Sequence, residues 1–412
     1  MARINITIDQ DEILALLVNN SQEAFKSLLA NCLNGILKAE SAEQLKAQPY
    51  ERSEVRTDCR NGVRERSLRT RIGTITLQVP RHRNLPFKSM VFENYSRSEA
   101  ALISCMAEMV VCGVSTRKVA RVMEELCGTS YSKSAVSELC RVLDKDVEAF
   151  RFRPLTGKYP FVVLDATYFK VRENHRIVSK ALLVACGTNE SGIREIIGFG
   201  VFPAEGRPSW TEFLEGLKKR GLSGVLMIVS DANQGMVSAI GTVFPKVPWQ
   251  RCQFHFSRNI ADKAPQKYQA GLHAELQEMF NKDSIEEARQ KRDAILADYR
   301  DIAEKAMECL ENGFEDSMTV MQLPKGIRRY YRTSNHIERI NRELKRRSNV
   351  IGVFPNEASL IRQIGSVLME QNDLALNKRK IFSRETYLRL ISGVVPAALV
   401  AIAAEQQRLL AA

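Results

Sequence analysis

No stretch of this chain is apolar for long enough to cross a bilayer, which takes about 20 residues. The most apolar segment, Val394–Ala404, falls short and reads as a packing helix. The start, Met1-Ala-Arg-Ile-Asn-Ile, lacks the apolar run of a secretion signal. The nine cysteines are odd in number and have no repeating spacing, so a disulfide framework is excluded in favour of reduced thiols. Cys252-Gln-Phe-His255 has no second closely spaced Cys/His pair. A structural zinc site needs four ligands, so a packing or orienting role is expected for Cys252 and His255. No serine or tyrosine stands among convergent arginines, which argues against a covalent recombinase. Acid is also scarce, 48 Asp and Glu against 60 Lys and Arg, for a net charge of +12. A soluble protein with that balance usually meets a polyanion. A cytoplasmic, nucleoid-associated protein is expected.

The 412 residues suffice for two or three domains. Residues 1–48 carry a helical apolar stripe (Ile13, Leu14, Leu17, then Phe25 to Leu37) that needs a partner, either the rest of the chain or a second subunit. Residues 49–97 are an arginine-rich arm. Within 52–83 nine arginines face only Glu54, Asp58 and Glu65, and Ile72–Pro80 alternates like one strand of a hairpin. Arg64, Arg66, Arg69 and Arg71 are candidate phosphate contacts. Residues 98–150 contain a helix-turn-helix pattern: Ser115–Leu126, a turn at Gly128, then Ser132–Cys140. Ser115 and Ser132 are the expected caps. Arg117, Lys118, Lys133, Ser134 and Ser137 are the candidate DNA contacts.

From residue 158 the pattern becomes strand, strand, strand, helix, strand, helix, strand, the last near Trp249–Phe254. Short loops between the first three strands imply antiparallel neighbours, and helical crossovers imply parallel ones afterwards. This order predicts an α/β, ribonuclease-H-like core with a mixed sheet over 158–257. An all-α insertion over 258–325 and a last part over 326–412 complete it.

Three acids have the placement that metal-dependent phosphodiester chemistry requires. Asp165 ends the apolar run Phe161–Asp165, Asp231 ends Val225–Asp231, and Glu338 sits on a basic helix. A lone buried carboxylate is costly unless paired or bound to metal. Carboxylates that retain open positions suit Mg²⁺, and two ions can serve in-line displacement. Glu343 is the rival third acid, but Arg339, Arg346 and Arg347 surround it at helical spacing and suggest a surface salt-bridge cluster. Ile337, Ile340 and Leu344 form the expected docking face of that helix. From Lys325 to Arg347 nine basic residues accompany only two acids. That field favours ionised carboxylates and bound phosphate. Candidate DNA contacts near the site are Lys170 and Arg172, at alternate strand positions where they could share a face, with Asn233, Gln234 and Arg251. Arg329, Arg332, Asn341, Arg342, Lys345 and Arg346 join them.

With these residues in place the chain resembles the Mutator-type transposases of bacterial insertion sequences. The resemblance rests on Leu164–Arg172, Val229–Gly235, Gln250–His255, Arg332–Asn341 and the Tyr50–Pro80 stretch. It implies a DDE transposase in which Asp165, Asp231 and Glu338 are the catalytic, metal-binding triad. Cys252 and His255 then match the family's Cys-x-x-His signature, near the metal site but not a zinc centre, and Asn335, expected with them to support the metal-binding acids, closes its usual Thr-Thr-Asn, which reads Thr333-Ser334-Asn335 here. Mg²⁺ (or Mn²⁺), double-stranded DNA with terminal inverted repeats, and a homodimer or larger assembly are implied. Water would cut one strand, and the freed 3′-hydroxyl would attack another phosphodiester. Two other readings remain at this point: a DNA-binding regulator without catalysis, and a ribonuclease-H-like nuclease that cuts without joining.

Overall fold

The computed structural model describes residues 21–51, 54–70, 72–89, 91–92, 100–127 and 130–411. The expected stripe residues Ile13, Leu14 and Leu17, with Arg71 and Gly128, lie outside these. The chain divides into two compact units, residues 1–142 and 143–412.

In the first unit helix α1 (Ser21–Leu45) packs on an antiparallel hairpin of β1 (Arg60–Thr70) and β2 (Gly73–His82). Alternation along β2 sends Ile75, Leu77 and Val79 inward against Leu37 and Phe92. That satisfies the stripe of α1 within the chain, so α1 buries part of its apolar face without a second subunit. Asp58 closes the base of the hairpin. Its carboxylate accepts from the backbone N–H groups of Cys59, Asn84 and Leu85 and from the Asn84 amide. Three helices follow: α2 (Ala100–Val111), α3 (Thr116–Cys127) and α4 (Lys133–Leu139). Ser132 caps α4 by accepting from Ala135 N, and Ser115 accepts from Lys118 N before α3, as their sequence positions suggested.

The second unit is mixed α/β. Helix α5 (Asp144–Phe152) leads into β3 (Phe161–Glu173), β4 (Arg176–Thr188) and β5 (Arg194–Phe202), then α6 (Arg207–Lys219), β6 (Met227–Ser230), α7 (Gln234–Val243) and β7 (Trp249–Arg251). The sheet order is β5-β4-β3-β6-β7, with β4 antiparallel to both its neighbours and the β3–β6 and β6–β7 pairs parallel. The mixed pairing agrees with the loop lengths in the sequence. Both faces of the centre are buried, which explains the unbroken apolar runs. Val162 and Leu164 pack toward Trp210, Leu214, Met236 and Ile240. On the other face Phe161 stacks on Tyr331 at 4.0 Å between ring centroids.

Two boundaries differ from expectation. Asp165 does not end its strand, because β3 continues eight residues further as a hairpin with β4. Parallel pairing with β6 stops at Val163, so Asp165 still lies just beyond the carboxyl end of the parallel segment. The last strand stops at Arg251, and helix α8 (Gln253–Ala261) starts at once with Cys252 as its N-cap. Cys252 and His255 therefore occupy the first turn of a helix, where i and i+3 side chains share a face.

Helices α8, α9 (Gln266–Phe280), α10 (Ile285–Tyr299) and α11 (Glu304–Met318) share their own core around Phe256, Leu272, Met279, Leu310 and Phe314. Gly313 is required at its centre, since a Cβ there would meet Arg251 Nη1 and the Phe256 ring. The chain returns through α12 (Asn335–Ser348) and α13 (Glu357–Leu376), then ends in α14 (Arg384–Ser392) and α15 (Val395–Ala411). The apolar tail is indeed a packing helix, with Leu399 and Ala403 buried. Among the described residues no single helix is long and apolar enough to cross a membrane.

Candidate active site

Three elements bring acids near the carboxyl end of the parallel β3–β6 pair, at the centre of the sheet. Strand β3 brings Asp165, the turn after β6 brings Asp231, and the first turn of α12 brings Glu338. Helix α12 docks through Ile337, Ile340 and Leu344, all buried, as their spacing predicted. The same docking inserts Asn341, whose Nδ2 donates to Asp165 Oδ2 at 2.8 Å. Asp165 is 9 % exposed. Burial pushes its carboxyl up to about 7, and the charges of Asp231 and Glu338 add to that. Asp231 Oδ1 accepts from Asn233 N at 3.2 Å, which keeps the carboxylate at the sheet rim.

Glu338 is oriented by Ser334, whose Oγ lies 3.0 Å from Glu338 Oε1 and 3.2 Å from Cys252 Sγ. The Ser334 N–H also donates to Cys252 Sγ, at 3.3 Å. His255 Nε2 is 3.7 Å from Glu338 Oε1. The neighbouring Cys252 sulfur raises His255 to about 9, and the charges of Glu338 and Asp165 add to the effect. Burial works against a Cys252 thiolate, but hydrogen bonds from His255 and Ser334 hold the thiol below its usual value. Cys252, His255 and Glu338 each bring one ligand atom to within 4.8 Å of the others. The orienting role expected of Cys252 thus has a visible route, through Ser334 to Glu338.

Several expected contacts fall elsewhere. Asn335 is exposed and touches neither Cys252 nor Glu338, so the orienting residue is its neighbour Ser334, which sequence reading passed over. Asn341 is buried against Asp165 and is not free for DNA. Arg332 is a strut: it donates to Gln253 Oε1, Asn281 Oδ1 and the Phe280 carbonyl, tying the approach to α12 onto α8 and α9. The Arg251 guanidinium lies over the Phe256 ring at 4.2 Å, half-buried against the helical insertion. Asn233 spends its side chain capping α7. Lys170 and Arg172 are exposed and share a face, but strand alternation turns them to the side opposite Asp165. In the first unit Arg66 and Arg69 lie over the rings of Phe92 and Tyr131.

The exposed candidates are Arg64, Arg117, Lys118, Lys133, Ser134, Gln234, Arg329, Arg342, Lys345 and Arg346, with Ser137 half-buried. Glu343 pairs with Arg346 and Arg347 at 2.7 Å, the salt-bridge cluster that its spacing implied. Glu205, in the loop before α6, was missed altogether. It accepts from Tyr168 Oη at 3.4 Å, and burial followed by the nearby Asp231 charge raises its carboxyl. No sequence signal marks it, because its neighbourhood with Asp231 exists only in the fold.

The family model described as "Transposase, Mutator family" matches residues 2–375. The chain belongs to the Mutator family of transposases. It is 41% identical over 377 residues to the transposase of insertion sequence element IS256 in transposon Tn4001 of Staphylococcus aureus, covering 90% of this chain and 96% of that protein. The transposase of IS1081 from Mycobacterium tuberculosis is 37% identical, covering 93% of each. That of ISRM5 from Rhizobium meliloti is 36% identical over 86% of this chain and 89% of its own length. This Mutator-family chain is accordingly a transposase of the insertion-sequence kind, an enzyme that acts on DNA. Against the family's usual Thr-Thr-Asn, Ser334 replaces a threonine yet keeps the hydroxyl that reaches Cys252 and Glu338.

Proposed function

We propose that Asp165, Asp231 and Glu338 are the DDE triad of a ribonuclease-H-like core. In this reading the enzyme binds the terminal inverted repeats of its insertion sequence, cuts one strand with water, and joins the freed 3′-hydroxyl to target DNA. The observation that carries it is Asp165, a nearly closed-off carboxylate that feels two further acids, with the Asn341 amide and the Ala166 N–H as donors. Three such acids repel unless a cation lies among them, and an all-oxygen set fits Mg²⁺ (or Mn²⁺) in one or two positions. When bound, the ions supply Lewis acidity and charge stabilisation at the scissile phosphate.

The chain's own residues do the positioning. Asn341 fixes the rotamer of Asp165, Ser334 fixes Glu338, and the exposed Arg342 and Lys345 hold backbone phosphates beside them. The arm over 49–97 and the helices over 98–150 recognise the element's ends, with α3 and α4 as the helix-turn-helix. Residues 158–257 and 326–412 form the core, 258–325 the insertion, and residues 1–48 contribute to a homodimer or larger assembly on DNA.

The test uses labelled element-end DNA, intact and precleaved, with wild type and Glu338→Gln, in Mg²⁺ and in chelator. Cleavage of intact ends and joining of precleaved ends by wild type in Mg²⁺ alone support the reading. Full activity in chelator or in Glu338→Gln overturns it. Cleavage without joining would reduce the enzyme to a nuclease.

A further inference from the structure

We propose that Cys252, His255 and Glu338 form a second, thiophilic cation site of the Zn²⁺ class, exclusive of the oxygen-lined site because both need Glu338. Sequence spacing offered only Cys252 and His255, too few ligands for a structural zinc centre. The fold adds the third. The three ligand atoms already lie within 4.8 Å of one another, with His255 Nε2 and Glu338 Oε1 at 3.7 Å. Zinc bond lengths of roughly 2.0–2.3 Å in a tetrahedron place ligand atoms about 3.5 Å apart. A small contraction therefore closes the set. Three protein ligands and one open position make a complete zinc shell.

The surroundings suit a soft cation. Cys252 is fully buried at the N-terminus of α8, and its sulfur accepts from the Ser334 N–H, while the Ser334 hydroxyl lies between it and Glu338; the N–H and the helix N-terminus favour thiolate. The side chains of His255 and Glu338 are 27% and 22% exposed, which opens the site from the catalytic side. Across the gap His255 faces the Glu338 carboxylate, with Cys252 beside it and Asp165 beyond. An occupied Cys252–His255–Glu338 site turns the Glu338 carboxylate toward sulfur and away from Asp165 and Asp231. Zinc therefore acts as an inhibitor that competes with Mg²⁺ for one shared ligand. The inhibition rests on the triad reading; the binding does not.

The experiment titrates Zn²⁺ into full-length wild type, Cys252→Ser, His255→Gln and Glu338→Gln, each checked for folding by circular dichroism. Co²⁺ serves as a spectroscopic probe through its sulfur-to-metal charge-transfer band. Cleavage by wild type in Mg²⁺ is followed as zinc is added. The expected result is zinc affinity at least about tenfold weaker in each variant, loss of the cobalt–sulfur band in Cys252→Ser, and zinc inhibition that excess Mg²⁺ relieves. Equal zinc affinity in wild type and in every folded variant would overturn the site. Should the variants lose zinc while wild-type cleavage ignores it, the cation site stands. The role of Glu338 in catalysis would then fall instead.

Discussion

Asp58 in the first unit and Asp165 in the second are almost equally withdrawn from solvent, 7 % and 9 % exposed, yet they are opposites. Asp58 accepts from three backbone N–H groups and an amide, and these donors hold its carboxyl down at about 2. Asp165 has one side-chain amide and the N–H of Ala166; burial above all, with the charges of Asp231 and Glu338 added, pushes it up to about 7. Both are withdrawn from solvent, but at Asp58 the backbone donors outweigh burial, whereas at Asp165 burial dominates and further acids add to it. A carboxylate surrounded by donors is a bolt. One that faces further acids is, under the proposed function, a cation ligand, and strongly perturbed groups of that kind concentrate at functional sites.

The comparison predicts the largest effect at Asp165. Asp165→Asn removes a charge without changing shape, so strand cleavage should fall by at least ~10²-fold, the scale of losing one preorganised electrostatic group. Melting of the second unit should hold or rise, because repulsion with Asp231 and Glu338 is relieved. A variant that cleaves normally, or unfolds, would make Asp165 a bolt like Asp58. Next in size is ligand linkage. Mg²⁺ at a hundredfold excess over its dissociation constant should stabilise the wild-type second unit by about 2.7 kcal/mol. Calorimetry of Asp165→Asn should show most of that gain gone.

Asp58 gives a pH-dependent effect of opposite character. Its folded pKa, about 2, lies below its ordinary value of 3.8. The stabilisation is therefore complete above about pH 4 and is lost as the pH falls toward 2. Asp58→Asn should lower the melting temperature of the first unit at neutral pH and flatten this acid limb, with no metal dependence. The smallest effect belongs to Glu343, the acid five residues beyond Glu338 on the same helix. Its partners are Arg346 and Arg347. Glu343→Gln should cost no more than about 1 kcal/mol and leave cleavage essentially intact. Loss of cleavage there would mean that the wrong end of α12 was assigned to the site.

Much of this was legible in the chain. Ile337, Ile340 and Leu344 at helical spacing gave the docking face of α12, and the apolar runs ending near Asp165 and Asp231 gave two strands and their parallel rim. The environment of Glu343 could be read from its basic neighbours at i+3 and i+4. Basic residues were harder to sort. Arg332 and Arg251 look like phosphate contacts in a positive run, but a guanidinium can equally brace buried carbonyls or cover a ring, and both do so. Spacing does not reveal which of two adjacent residues, Ser334 or Asn335, turns inward at a helix start.

The family motifs, the order of strands and helices and the three candidate acids are written in local pattern: period 2, period 3.6, and carboxylates at the end of apolar runs or on a basic helix. What stands beside them comes from packing alone. It placed Asn341 on Asp165, Ser334 between Cys252 and Glu338, and Glu205 near Asp231. These meetings join residues from separate elements through packing of whole helices against a sheet, and local spacing carries no record of which side chains then face each other.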